Sequence, residues 1–140
     1  MIYNTRPARV VKLLGEAFAG LEMLFEGKLC VLTLTKEHFK RADASNEDVE
    51  DIVEQSLTIK GTQVGILFSQ MLDTDEIRIA FRSKGDIFIR DVATKFNGGG
   101  HQHAAGARLY NIPMDEAKAM VIKEVEKLIV NCQLLMLNCF

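Results

Sequence analysis

Tryptophan is absent from this chain, proline occurs twice, cysteine three times, and no apolar run is long. Each shortage removes a class of protein. No stretch approaches the roughly 18 consecutive apolar residues that a membrane-spanning helix needs, so no membrane partner is expected. Cys30, Cys132 and Cys139 are odd in number, lack C-x-x-C spacing and have no His or Cys at zinc-ligand intervals. They read as reduced thiols in a cytoplasmic protein, with no metal site. The opening Met1-Ile2-Tyr3-Asn4-Thr5-Arg6-Pro7 has no basic stretch, apolar run or small-residue cleavage site of a secretion signal. An excess of positive charge is missing too: 17 Lys and Arg stand against 19 Asp and Glu, a net charge of −2. With no global field to draw a polyanion, any nucleic-acid contact must come from a local basic patch.

What is present suits one globular domain. The 140 residues are 48% apolar and 26% charged, enough to build a core without a metal or disulfide staple. Val10, Leu13, Leu14, Ala17, Phe18 and Leu21 recur at helical spacing behind Thr5 as N-cap, predicting an amphipathic helix that closes near Gly20. Lys28 to Thr35 reads as a mostly buried strand and Lys36 to Arg41 as a short helical turn. Ser45 and Asp48 resemble a capping box that opens a second helix from about Asn46 to Leu57. Gln63 to Leu72 and Glu76 to Ser83 read as a hairpin around Asp73-Thr74-Asp75. In its second arm Ile77, Ile79 and Phe81 face the core, and alternation puts Arg78 and Arg82 on the other side. A short helix within Ile87 to Phe96, a strand from about Gly106 to Tyr110 and a last helix after Pro113 complete the pattern. The apolar end, Leu134 to Phe140, leaves packing, pairing with a second copy as a homodimer, and disorder all open. Interspersed strands and helices predict an α/β fold with a mixed sheet of about five strands flanked by helices.

The chemically informative stretch is Phe96-Asn97-Gly98-Gly99-Gly100-His101-Gln102-His103-Ala104-Ala105-Gly106. Glycine costs roughly 1 kcal/mol in regular structure relative to alanine, so three in succession need a compensating use. Bare backbone can approach a ligand closely and turn amide N–H groups toward phosphate oxygens. His101 at the mouth can donate a hydrogen bond to such an oxygen, and the small Ala104, Ala105 and Gly106 permit close approach beneath it. The competing account is a flexible surface turn beside a histidine; the small triplet at fixed spacing favours a site. Arg82 can grip two phosphate oxygens at once and lies at a strand end, where loops build sites. Arg78 is a secondary candidate on the same face, and His103 another, lining the loop without an essential role. His38 reads as a solvated residue on a helical turn.

The pattern G-G-G-H-x-x-A-A-G, preceded by Phe81-Arg82-Ser83-Lys84-Gly85, resembles the C-terminal DHH-associated domain of DHH-family phosphoesterases. It is most similar to the bacterial group of bifunctional oligoribonucleases and phosphoadenosine-phosphate phosphatases, and the likeness covers nearly the whole chain. Asn97 stands where the family often has a fourth glycine, a substitution that Asn tolerates better than most residues in left-handed backbone. The resemblance implies residues 1–22 as a linker helix from an upstream catalytic domain and residues 23–140 as the substrate-binding domain. It implies that Arg82, Ser83, Lys84, Gly98, Gly99, Gly100 and His101 hold substrate phosphates across a cleft from an N-terminal DHH domain. It further implies two metal ions, manganese, that clamp the phosphate and activate water in that other domain. No Asp-His-His triplet occurs here, so no cofactor and no catalytic residue is expected in this chain. The expected partners are short RNA or single-stranded DNA, or nucleotide phosphates such as phosphoadenosine phosphate or a cyclic dinucleotide. A free-standing nucleotide or RNA binding module without hydrolase activity stays open as the alternative.

Overall fold

The computed structural model describes residues 5–49 and 51–138. Its centre is a six-stranded sheet: β1 (Glu22–Leu24), β2 (Leu29–Leu34), β3 (Val64–Gln70), β4 (Glu76–Ser83), β5 (Gly99–Gly100) and β6 (Ala104–Tyr110). The strand order is β1-β2-β3-β4-β6-β5, with β2 and β3 parallel and every other pair antiparallel. A parallel pair cannot be closed by a tight turn, and the long crossover from β2 to β3 is helical. It holds α2 (Lys36–Ala42), α3 (Ile52–Gln55) and 3-10 turns at Asn46–Val49 and Ser56–Thr58. The remaining helices are α1 (Ala8–Ala19), α4 (Arg90–Lys95) and α5 (Met114–Asn138).

Side-chain alternation divides the sheet into two unlike faces. One face presents Leu29, Val31, Val64, Ile66, Phe68, Ile77, Ile79, Phe81, Ala105 and Ala107, all buried under Val92 and Ala93 of α4 and Ala117, Val121, Val125 and Ile129 of α5. The other presents Cys30, Leu32, Leu34 and Leu67, buried under Leu13 and Ala17 of α1, Phe39 and Ala42 of α2, and Ile52 and Val53 of α3. That second layer covers β2 and β3. Beyond them the same face carries Arg78, Ala80 and Arg82 of β4 and Ala104, Gly106, Arg108 and Tyr110 of β6, none of which is fully buried.

The single helix expected from about Asn46 to Leu57 is broken into two 3-10 turns and the four-residue α3. Local bonds explain the break. The Asn46 side-chain amide donates to Gln70 O at 3.0 Å and its carbonyl accepts from Leu72 N at 2.9 Å, fastening this turn to the end of β3. At the other end Ser56, fully buried, bonds back to Val53 O at 2.5 Å. It rests on Gly65, where an added Cβ would lie 1.8 Å from the Ser56 hydroxyl. Only half of the expected capping box forms. The Asp48 carboxylate accepts from Ser45 N at 2.9 Å, but the serine hydroxyl donates to that same carboxylate instead of capping a backbone N–H.

Other departures are equally local. The mixed sheet flanked by helices is the expected one, but β1, three residues long, and β5, two glycines, carry no strand-like pattern and are not marked by the sequence. The first helix begins at Ala8 with Pro7 before it and no side-chain cap, so Thr5 is not the N-cap. His38 is a capping residue, not a solvated bystander: Thr35 N donates to its Nδ1 at 2.9 Å while Thr35 caps His38 N. In the C-terminal tail α5 continues to Asn138 with Leu134 and Leu135 exposed; the side chains from Met136 onward, Cys139 included, lie outside the described residues.

Asp48 supplies a stability prediction. Its carboxyl is held below the usual carboxylate range, first by the Ser45 backbone N–H and then by Arg9, whose Nε lies 3.1 Å away. A depressed folded value means stability present above the unfolded carboxyl value of about 4 and lost as pH falls through the lower folded one. Asp48→Ala is expected to cost about 1 kcal/mol at pH 7, and urea unfolding should show the variant losing less stability than the parent between neutral and acid pH. Equal acid losses would remove Asp48 from this role.

Candidate functional site

The uncovered half of the second sheet face forms the floor of a cavity of about 870 Å³. Its shape follows from register. Across β3, β4 and β6 the rows read Ser69, Arg78, Arg108, then Leu67, Ala80, Gly106, then Gly65, Arg82, Ala104. The centre of the floor is therefore built from Ala80 and Gly106, with Arg82 and the small Ala104 at one end and Arg78 and Arg108 at the other. Small side chains there leave room for a ligand that larger ones would fill.

The glycine loop forms the far wall, and its three glycines do different work. Asn97 turns the chain out of α4 with φ of +60°, and Gly98 N donates back to Ala93 O at 2.9 Å. A Cβ on Gly98 would come within 2.0 Å of Gly106 O, and one on Gly100, whose φ is +141°, within 2.6 Å of Ala104 O. Both residues are bare so that β5 can lie against β6. Gly99 has nothing within 4 Å of a built Cβ and opens on the cavity. Of the three, it is the one whose bareness the fold does not require. A tight turn follows, with His101 N donating to Ala104 O at 2.7 Å, and the exposed His101 side chain lines the same cavity.

Arg82 stands at the loop end of the floor. Its Nη1 donates to Phe81 O at 2.9 Å, and its Nε sits a long 3.5 Å from the mostly exposed Glu54 carboxylate on α3. At the opposite end Arg78 and Arg108 face each other across β4 and β6, with the nearly buried Glu76 between them at 3.5 Å from each Nε. Three guanidiniums and an imidazole thus meet two carboxylates, a local positive excess on a chain whose overall charge is negative.

The structure brings Arg82, Gly98, Gly99, Gly100, His101 and the secondary candidate Arg78 to one cavity. It does not bring Ser83, Lys84 or His103 to the cavity lining. Ser83 alternates to the opposite face, is buried, and sits 3.5 Å from Gln102 O while its N–H donates to His103 O at 3.0 Å, so it anchors the loop from behind. Lys84 reaches the other way and donates to Leu57 O at 2.9 Å. The His103 ring stacks on Phe88, with centroids 5.3 Å apart, and its Nε2 lies 3.0 Å from Gly85 O; a carbonyl only accepts, so that nitrogen carries the proton.

Asn46, Arg108 and Tyr110 also line the cavity and are not among the candidates that the sequence marks. Arg108 and Tyr110 alternate with the core-facing Ala107 and Leu109, a signal that strand parity could have supplied. Asn46 gives none, and its amide is already committed to the backbone of β3 and the residue two beyond it.

Among the described residues no three His, Cys, Asp or Glu side chains gather where they could hold a metal ion. Burial pushes the Cys30 thiol up to about 11, which keeps it protonated and unreactive. No described helix is long and apolar enough to cross a membrane.

Known proteins share the sequence and fold of this chain. The DHHA1 domain family matches residues 26–131. The chain is 33% identical over 116 residues to the bifunctional oligoribonuclease and PAP phosphatase NrnA of Bacillus subtilis, covering 83% of this chain and 35% of that protein. It is 26% identical over 122 residues to the protein of the same name from Thermus thermophilus, covering 87% and 36%. It therefore spans little more than a third of the length of these relatives. Among solved structures, an exopolyphosphatase-related protein from Bacteroides fragilis superposes with a TM-score of 0.77 at 26% identity, over 95% of this chain and 37% of that one. A pGpG-specific phosphodiesterase from Vibrio cholerae shares the fold at a TM-score of 0.58 and 15% identity, over 85% of this chain and 39% of that one.

The division of labour among the glycines predicts opposite phenotypes. Gly98→Ala must move backbone and is expected to cost about 1–3 kcal/mol in thermal or urea unfolding. Gly99→Ala should stay within about 0.5 kcal/mol of the parent while weakening any anion that approaches the loop. Comparable destabilisation by both substitutions would contradict this assignment.

Proposed function

The chain belongs to the DHHA1 domain family, and on that premise we propose that it is the substrate-holding domain of a metal-dependent phosphoesterase acting on short RNA or phosphoadenosine phosphate. The observation that carries the reading is the single cavity in which Gly99, His101 and Arg82 border a floor of small residues on an otherwise well-covered sheet. Each part suits a phosphorylated nucleoside. The Arg82 guanidinium can take two oxygens of one phosphate, and its long ion pair with Glu54 is weak enough for a phosphate to displace. His101 can donate a further hydrogen bond from the loop side. The bare Gly99 lets the ligand approach the backbone, and Ala80, Ala104 and Gly106 leave the space that a ribose or base needs.

Bond breaking belongs, in this reading, to an N-terminal DHH domain of the whole protein. Two manganese ions bound there would supply the activated water. The residues of this chain hold and orient: Arg82 and His101 fix a phosphate, and Ser83 and Lys84 support the strand end and loop that carry them. Fixing the phosphate places the scissile bond relative to the other domain, and such positioning contributes strongly to rate.

Calorimetry on the chain should detect weak binding of adenosine 3′,5′-bisphosphate and of short 5′-phosphorylated oligonucleotides, with affinity falling as salt rises because the contacts are ionic. Salt-independent binding, or none with millimolar ligand, would count against the proposal. In the complete enzyme Arg82→Ala is expected to lower kcat/KM by about 10- to 100-fold, the worth of a charge-assisted phosphate contact, with bound metal unchanged. Loss of the metal would assign Arg82 a different role.

A further inference from the structure

The cationic pair at the other end of the floor has no part in holding a phosphate at Arg82, and we propose that Arg78 and Arg108 form a second phosphate subsite that selects nucleotide chains over nucleoside bisphosphates. This rests on the reading of the cavity given above and specifies its substrate class.

Like charges placed directly opposite on neighbouring strands destabilise a sheet, yet Arg78 and Arg108 are register partners on β4 and β6. Their one shared counter-charge is Glu76, almost buried, with one carboxylate oxygen 3.5 Å from each Nε. At that length neither contact is a strong hydrogen bond. The carboxylate holds two guanidiniums side by side and neutralises one of them, leaving a net positive charge. The arginine side chains are 48% and 58% exposed, and both line the cavity that contains Gly99, His101 and Arg82. Two adjacent guanidiniums with free donors are a suitable grip for a phosphate diester, which needs several donors but carries a single charge.

Spacing decides what this pair can recognise. Arg78 and Arg82 lie four residues apart on one strand, ~13 Å along β4. Their side chains diverge further, since Arg82 leans to Glu54 on α3 while Arg78 leans to Glu76 at the far end of the strand. The phosphates of a nucleoside bisphosphate are separated by one ribose, too short a span to occupy both ends. A chain that continues past the first nucleoside crosses the floor of Ala80, Gly106 and Ala104 and brings a later phosphate to Arg78 and Arg108. The first subsite then serves both kinds of ligand and the second serves only the longer one.

Calorimetry with two probes tests this, using 5′-phosphorylated triadenylate and adenosine 3′,5′-bisphosphate against the parent chain, Arg78→Gln with Arg108→Gln, and Arg82→Ala. Both arginines are exposed at the cavity, so the double variant is expected to fold, which circular dichroism checks. It should bind the trinucleotide about tenfold more weakly and the bisphosphate within about twofold of the parent. Its salt dependence for the trinucleotide should be shallower by about 0.7 in log K per log salt for each phosphate that the protein no longer neutralises. Arg82→Ala should weaken both probes. If Arg82→Ala weakens both while the double variant weakens them equally or spares the trinucleotide, the second subsite is overturned and the phosphate-binding reading stands. If Arg82→Ala spares both probes, the reading fails and the subsite falls with it.

Discussion

Helices cover one face of the sheet along most of its width but the other only over β2 and β3, and the site is a consequence of that unequal coverage. The crossover between β2 and β3, together with α1, is spent on one end of the second face. At the other end β4 and β6 keep a polar, small-residue surface that hydrophobic burial gives no reason to close. The opposite face of those same strands is packed under α4 and α5, so the open surface is backed by a rigid core. A binding surface on strands keeps its geometry better than one on loops. The glycine loop is brought onto this surface by β5 lying against β6, an approach so close that it admits no Cβ at Gly98 or Gly100.

Charge follows the same division. The chain is net negative, and two of its carboxylates, Glu54 and Glu76, lie against the cavity arginines at 3.5 Å. Long contacts of this kind keep the guanidiniums oriented and soluble without saturating their donors. A domain with a strongly basic surface would hold any polyanion; in the proposed reading, a few partly compensated arginines around a small floor would discriminate by where the phosphates fall.

Much of this is legible in the sequence because it rests on strand parity and on one motif. Parity alone places Ile77, Ile79 and Phe81 in the core and Arg78 and Arg82 opposite, and the glycine-histidine motif marks the loop. Ser83 and Lys84 group with Arg82 by adjacency, yet the next residue on a strand faces the opposite side, which buries Ser83, and Lys84, beyond the end of β4, is drawn to Leu57 O, so of the three only Arg82 lines the cavity. The three glycines read as one feature, whereas packing against β6 separates Gly98 and Gly100 from Gly99; such long-range packing leaves no local trace. The broken helix after Ser45 is unreadable for the same reason, since Asn46 and Ser56 break it through bonds to β3 and to its own carbonyls. Short β1 and two-glycine β5 owe their existence to pairing and not to propensity.

The central claim, that phosphate is held where the glycine loop meets the open half of the sheet, is tested most directly by amide and guanidinium chemical-shift mapping of the chain titrated with adenosine 3′,5′-bisphosphate. The account predicts saturable shifts at Gly99, His101, Ala104 and the Arg82 Nε, with α5 and the Phe88–His103 stack silent. Shifts confined to α5 or to that stack, or none at His101 and Arg82 with millimolar ligand, would contradict it.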